Sequence, residues 1–478
     1  MEFHVTLSGS RDLARQIYEQ FKQAILEGRL RPGEAIPPTR ELAARLGVSR
    51  NTVTSSYERL FAEGFVSGRV GAGTFVRQEA RSTAPARRAK TETGLRALPI
   101  WDSIQLPPER APRAPAYDFR VGTPDLGLFP YAEWRRLIAR QLRSPAGPTA
   151  AYGDPAGHSR LRAAIARHIR VSRSIRADAE DVIVTGGTQQ ALDLIGRILI
   201  EPGTCVAVED PGYPLARLAF ESQGARITPV SVDAEGLNVD AIPDAARLVY
   251  VTPSHQFPLG MPMTLARRMA LLAWAERHQA AVVEDDYDSE FRFGGRPLEP
   301  LQSLDRAGHV LYVGSFSKVL LPGLRLGYLV APASLRPALR TARFLTDWHS
   351  PPFLQAALAQ FIEEGLLARH IRKARREYQV RHEQLEQALR RHLAAWLEPI
   401  PSVAGLHIGA LFRDDRIDAT EVVRAAQRVG VAVAALSRFS SSPTSRQGLV
   451  LGYGAIPVSL IDEGVRRLAA SIRAIHPR

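Results

Sequence analysis

The residue with the clearest chemical potential is a lysine. Ser315–Phe316–Ser317–Lys318 follows the apolar run Val310–Leu311–Tyr312–Val313 and precedes Pro322–Gly323–Leu324–Arg325–Leu326–Gly327. Most lysines are solvated surface charges. This one stands at the carboxyl end of an expected strand, where α/β folds bind ligands. Burial and the neighbouring cation Arg325 would lower the proton affinity of its amine and make it a competent Schiff-base nucleophile, while Arg325 and the Ser315 hydroxyl suit a phosphate. A second expected strand ends in Glu284–Asp285–Asp286–Tyr287. Asp285 is placed to keep a heteroaromatic ring nitrogen protonated, so that the ring can act as an electron sink. Tyr287, two residues on along the same extended face, could hydrogen-bond a phenolic oxygen. No His or Cys clusters beside the acidic run in sequence, so it is read as an organic site and no metal is expected.

Thr185–Gly186–Gly187–Thr188–Gln189–Gln190 lies between a strand and a helix. The unpaired amides of Gly187, Thr188 and Gln189 at the positive helix end could cradle a phosphate. Tyr213, in Asp210–Pro211–Gly212–Tyr213, could stack on a flat ring. Tyr152, in Tyr152–Gly153–Asp154–Pro155–Ala156–Gly157–His158, is equally suited to that role or to ordinary packing.

These motifs need a scaffold. With 478 residues and 45% hydrophobic composition, the chain is expected to form several domains. Runs such as Val182–Ile183–Val184, Cys205–Val206–Ala207–Val208, Leu248–Val249–Tyr250–Val251 and Ala281–Val282–Val283 alternate with helix-patterned segments. That pattern predicts a buried parallel sheet with helices on both faces. After Pro351 the pattern is mostly helical, with a long charged helix near 366–397 and then a smaller α+β lobe. The lone cysteine, Cys205, excludes an intrachain disulfide and reads as structural. The sequence shows no charged-then-apolar leader and no apolar run long enough for a bilayer, which predicts a cytoplasmic protein with no membrane partner. A formal charge of +13 favours phosphate-rich partners but also fits an arginine-rich composition, and alone it decides little.

Residues 1–76 read as a separate module. Leu13, Ile17, Phe21 and Ile25 form the stripe of a first helix that stops at Gly28. Thr39 is expected to N-cap a second helix, Arg40–Leu46, ended by Gly47, and Ser49 to N-cap a third through Glu63. Val53, Leu60 and Phe61 are expected to face inward, leaving Arg50, Asn51 and Thr52 for base edges and phosphates. Two strands around Arg69–Val70–Gly71–Ala72–Gly73 would form a wing. Residues 77–115, rich in Arg, Ala, Pro, Ser and Thr, read as a flexible linker.

Gly33, Pro37–Pro38–Thr39–Arg40–Glu41–Leu42–Ala43, Gly47–Val48–Ser49–Arg50–Asn51–Thr52–Val53 and Gly71–Ala72–Gly73–Thr74–Phe75–Val76 resemble the winged helix of GntR-type regulators. The resemblance implies DNA contacts from Arg40, Ser49, Arg50, Thr52 and Gly73. A winged helix used for protein contacts is the competing reading. Over residues 116–478 the motifs resemble fold-type I aminotransferases, which bind pyridoxal 5'-phosphate (PLP), and the whole order resembles the MocR group of GntR regulators. The implied fold is multidomain: a mainly α winged helix-turn-helix, then an α/β PLP-dependent transferase domain with a small C-terminal α+β lobe. The resemblance makes Lys318 the Schiff-base residue, Asp285 the partner of the ring nitrogen and Tyr287 that of the phenolic oxygen. Tyr213 would stack on the ring, and Gly187, Thr188, Gln189, Ser315 and Arg325 would hold the phosphate. Tyr152 would reach the phosphate in a partner subunit, which implies a homodimer.

Two departures from that pattern stand out. Phe257, in Ser254–His255–Gln256–Phe257–Pro258–Leu259–Gly260, occupies the place of an Asn that touches the ring oxygen, with His255 or Gln256 as candidate substitutes. Val450 occupies the place of the arginine that clamps a substrate carboxylate, a charge-assisted contact worth roughly 1.5–3 kcal/mol. Arg438 and Arg217 are candidates to replace it. The expected function is therefore PLP-dependent transcription regulation on double-stranded promoter DNA, sensing an amine or amino-acid effector or PLP itself. The alternatives are a competent class I/II aminotransferase with a DNA-binding appendage, and an interaction module that retains an empty fold.

Overall fold

The computed structural model describes residues 4–9, 11–69, 73–77, 96–104, 115–143, 151–294, 299–441 and 446–476. Contacts divide the chain into two units, Met1–Arg96 and Ala97–Arg478. Most of the segment read as a linker lies outside the described residues; within it, Ile100–Ser103 forms a short helix that the composition did not predict.

The first unit packs helices Leu13–Leu26, Thr39–Leu46 and Arg50–Ala62 around Ile17, Phe21, Leu42, Val53 and Leu60. Ser49 caps the third helix as expected, its Oγ accepting from the Thr52 amide at 3.1 Å. Thr39 does not cap the second: it is the first helical residue, and Pro38 holds the cap position with extended ψ and no side-chain bond. Phe61 does not face inward. It is 41% exposed and lies over Gly68, whose missing side chain leaves room for the ring. The wing sheet has three strands rather than two, because Ala35–Ile36 pairs with Gly73–Val76, which in turn pairs with Val66–Arg69. The wing tip, Val70 to Ala72, lies outside the described residues.

Among the described residues, the second unit holds an eight-stranded sheet in the spatial order Val182–Thr185, Gly327–Val330, Val310–Ser315, Ala281–Asp286, Ala246–Val251, Cys205–Asp210, Arg226–Asp233, Gly236–Leu237. Both faces are covered, which explains the continuous apolar runs. Successive residues of one strand serve opposite cores: Val206 and Val208 pack with Leu192, Ile195 and Phe220, while Cys205 and Ala207 pack with Leu271 and Trp274. The sheet is not wholly parallel, since Gly327–Val330 runs antiparallel to both neighbours. Only residues 316–326 connect it to Val310–Ser315, too few for the crossover of a dozen or more that a parallel return needs. This reversal brings Arg325 to the sheet edge that also carries Lys318.

The small lobe is built from both ends of the unit. Its main sheet orders Leu397–Pro399, His407–Phe412, Gly448–Gly452 and Ala434–Ala435, and Tyr117–Asp118 pairs with Val431–Ala432 beside it. The long helix, Leu366–Leu393, packs along helix Val458–Ile475.

Candidate functional site

Strands Val182–Thr185, Ala281–Asp286 and Val310–Ser315 point their carboxyl ends to one edge, where Gly327–Val330 begins. Lys318 sits half-buried in the turn after its strand, and its Nζ donates to the Gly122 carbonyl at 2.7 Å. Gly122 has φ +78°, and a Cβ there would come within 3.2 Å of Nζ. The segment that follows Tyr117–Asp118 therefore closes over the amine. Sequence reasoning missed Gly122, about two hundred residues away, because nothing local marks it.

Asp285 is buried in its strand. Its Oδ2 accepts from the Tyr250 hydroxyl at 2.7 Å, while Oδ1 is buried with no hydrogen-bond partner. Burial raises its pKa to about 7, against the Tyr250 hydrogen bond, which favours the ionised form; the nearby Lys318 charge also lowers it. An orphaned carboxylate oxygen is costly unless something cationic or a donor meets it. Tyr250 comes from the next strand, where its apolar run Leu248–Val249–Tyr250–Val251 gives no local sign of a polar role.

Gly187 precedes helix Thr188–Leu199 with φ +90°, and a Cβ on it would lie 3.1 Å from an Arg325 nitrogen. Gly327 packs against the same glycine so closely that a Cβ there would fall 2.9 Å from the Gly187 Cα. Two glycines and a guanidinium thus frame the helix start, whose first amides lack intrahelical partners. Ser315 ends its strand, its Oγ accepting from the Ser317 amide at 3.1 Å. Gln189 Nε2 reaches the Leu215 carbonyl at 3.5 Å, and its Oε1 is buried without a partner. Amine, open carboxylate and anion cradle are the three groups that a phosphorylated heteroaromatic aldehyde requires, so the residues present fit such a group.

The remaining expected residues are placed less uniformly. Tyr213 meets the Phe257 ring edge-on at 5.7 Å, and burial together with the Asp285 charge raises its phenol's pKa. Tyr287 donates to the His255 carbonyl at 2.9 Å and lies 3.0 Å from His255 Nδ1. Tyr152 is 79% exposed and stacks on Trp348 at 4.4 Å, so its ring contacts lie away from Lys318 in this chain.

Phe257, at the place of the ring-oxygen Asn, contacts Tyr213, Tyr287, His407 and Phe439 edge-on. Gln256 ties its own turn to the Tyr213 turn, donating to the Phe257 and Pro211 carbonyls at 2.8 and 2.9 Å. His255 joins Asp288 at 3.1 Å, and Ser402 Oγ lies 3.3 Å from its other ring nitrogen. Ligand atoms of His255, Asp288 and His407 lie within 4.8 Å of one another, all buried. Sequence reasoning looked for histidines beside Asp285 and missed this group because His407 arrives from the small lobe.

Val450 is fully buried with Leu259, Ala434 and Leu436. Arg438 is exposed, and Arg217 donates to Ser441 Oγ at 2.9 Å. The segment carrying Arg438 and Ser441 straps onto the Tyr213 turn: the Gly212 amide donates to the Phe439 carbonyl at 2.9 Å, and the Ser440 hydroxyl and Ser441 amide both donate to Asp210 at 2.8 Å.

In the first unit, Arg40 and Arg50 are exposed at the starts of their helices, and Gly73 opens its strand with φ +110°. The Ser49 hydroxyl is engaged by the Thr52 amide and, at 2.8 Å, by the Thr52 hydroxyl, so these two residues shape the helix start.

Comparison with known proteins agrees with this architecture. Residues 13–76 match bacterial regulatory proteins of the gntR family, and residues 117–448 match aminotransferase class I and II. The chain is 40% identical over 471 residues to the probable rhizopine catabolism regulatory protein MocR of Rhizobium meliloti, covering 97% of this chain and 94% of that protein. It is 33% identical to the pyridoxine biosynthesis regulator PdxR of Corynebacterium glutamicum, covering 92% and 91%. Among solved structures, the kynurenine aminotransferase of Pyrococcus horikoshii in complex with PMP superposes with TM-score 0.71 at 28% identity, over 75% of this chain and 91% of that one. With a GntR winged helix ahead of an aminotransferase class I and II domain and MocR-type relatives along nearly its whole length, the chain belongs to the MocR-type transcriptional regulators.

Proposed function

We propose that Lys318 binds PLP covalently and that the loaded site reports an amine or amino-acid effector, or PLP itself, to a winged helix on promoter DNA. One observation carries the cofactor reading: the buried, partnerless Oδ1 of Asp285 at the sheet edge that also holds Lys318 and the Gly187–Arg325 cradle. When bound, PLP supplies an electrophilic carbon for amines and a ring that accepts electron density. Lys318, whose Nζ donates to the Gly122 carbonyl, would hold the group through its amine. Asp285 would hold the protonated ring nitrogen, a cation that favours the ionised form of its carboxylate. Gly187, Thr188, Gln189, Ser315 and Arg325 hold the phosphate, and Tyr213 stacks. Tyr287, whose hydroxyl donates to the His255 carbonyl, would donate to the phenolic oxygen. Tyr152 serves the neighbouring subunit of a cytoplasmic homodimer. Effector binding changes the strap between residues 436–441 and the Tyr213 turn, and so biases lobe closure.

Arg40, Ser49, Arg50, Thr52 and Gly73 form the DNA face, with Ser49 and Thr52 fixing the helix start that Arg50 presents. The test uses full-length, PLP-supplemented protein on promoter fragments across a salt series. Arg50→Ala is expected to weaken binding at least tenfold with an unchanged visible spectrum, and an amine effector to alter the affinity of the wild type. DNA binding that ignores both PLP and every amine tested would contradict the sensing reading. The second reading, a competent aminotransferase, is favoured by the presence of Lys318, Asp285, Tyr287 and Arg325 together. Sustained turnover of amino and keto acids would establish it.

A further inference from the structure

The long helix Leu366–Leu393 carries an uncommon arrangement of charge on one exposed face. Arg369, Arg372, Lys373 and Arg376 are all exposed and line a groove of about 450 Å³, with Leu128 and Val380 as its apolar walls. Their spacing of three, four and seven residues puts them on one side of the helix. The acid that shares the groove, Glu377, is committed to Arg381 at 3.1 Å.

Exposed arginines on other helices are mostly answered by acids. Arg390 pairs with Glu386, Arg391 with Asp462, and Arg466 and Arg467 with Glu463. No such ion pair is seen for the four groove cations among the described residues. Four adjacent like charges repel one another and are held together at a cost unless an anion covers them.

We infer that this face is a second DNA-binding surface, located in the aminotransferase-like unit and directed at the phosphate backbone of duplex DNA. From Arg369 to Arg376 the helix rises roughly 10 Å. Phosphates of one strand recur about every 3.4 Å along the duplex axis, so the stripe spans about three of them. Guanidinium groups suit phosphate oxygens, and exposed cations repeated along a helix face match the repeating charges of a continuous polyanion. The chain already carries a DNA-binding winged helix, so the tether gives any further backbone contact a high effective concentration. The contact is sequence-neutral and independent of the cofactor reading.

The experiment compares full-length wild type with a fourfold variant, Arg369→Gln, Arg372→Gln, Lys373→Gln and Arg376→Gln, on an arbitrary duplex of about 60 base pairs across a salt series. A control variant removes four already paired cations by Arg390→Gln, Arg391→Gln, Arg466→Gln and Arg467→Gln. The stripe variant is expected to bind 10- to 100-fold more weakly at low salt, with the slope of log affinity against log salt reduced by about 2–4. The control is expected to leave the slope nearly unchanged. An unaltered slope in the stripe variant, or an equal loss in the control, would overturn the inference. So would an unaltered slope accompanied by lost binding to phosphatidylglycerol vesicles, which would assign the face to a membrane surface. Should the fourfold variant fail to fold, the pairs Arg369→Gln/Arg372→Gln and Lys373→Gln/Arg376→Gln are each expected to show about half the slope change.

Discussion

The two sides of the candidate site differ in kind. On the large-sheet side every group has a polar purpose: Lys318 on the Gly122 carbonyl, Asp285 with one oxygen left open, Arg325 against Gly187. On the small-lobe side, the place of the expected carboxylate clamp is filled by Val450, buried with Leu259, Ala434 and Leu436, and His407 and Phe439 meet the Phe257 ring that a loop of the large sheet carries beside Tyr213 and Tyr287. Groups whose chemistry fits a phosphorylated cofactor stand beside a half with no charged side chain at the clamp position.

The comparison breaks most completely at Lys318. Lys318→Ala is expected to abolish the visible absorption of PLP-supplemented protein while far-ultraviolet circular dichroism stays native. Retained colour would remove Lys318 from its role. On the opposite side, Val450→Arg places a charge where no partner waits, and a loss of roughly 3–5 kcal/mol in denaturant-measured stability is expected. If that variant folds with full stability and transaminates faster, the two halves differ by one residue only and the contrast is shallow.

Asp285 sharpens the cofactor side through pH. Its folded pKa is raised to about 7, whereas the unfolded group titrates near 4. Between those values the folded chain holds a proton that the unfolded chain has released, so cofactor-free stability falls as pH rises from about 4 to about 7 and levels off above. Asp285→Asn is expected to flatten that part of the profile and to weaken PLP retention at least tenfold. A pH profile identical to wild type would remove the buried-carboxylate argument. The smallest effect belongs to the other unit: Ser49→Ala removes one helix cap, and a loss of about 1 kcal/mol in that module is expected, with the PLP spectrum unchanged.

Much of this was legible in the sequence where the signal is local. Buried strands announced themselves as apolar runs because both faces are covered, and Gly187 and Gly47 marked helix ends because the backbone there takes positive φ. Local signals failed where two compete. Thr39 has the right side chain for a cap, but Pro38 already supplies an extended residue with no amide to satisfy, and the helix starts one residue earlier than expected. Ala35–Ile36 is too short a strand to show periodicity. The antiparallel strand Gly327–Val330 follows from connection length, which an apolar pattern does not encode. Long-range partners were invisible: Tyr250 meets Asp285 through strand pairing in the large sheet, while Gly122 over Lys318 and His407 beside His255 arrive from segments distant in sequence.

The central claim is covalent and site-specific, and the composition makes it unusually easy to test. Of 62 basic Lys and Arg residues only four are lysines: Lys22, Lys90, Lys318 and Lys373. Full-length protein incubated with PLP, reduced with borohydride and mapped by peptide mass spectrometry is expected to carry one pyridoxyl group per chain, on the peptide containing Lys318. Modification confined to Lys22, Lys90 or Lys373, or no modification of folded protein, would contradict the account.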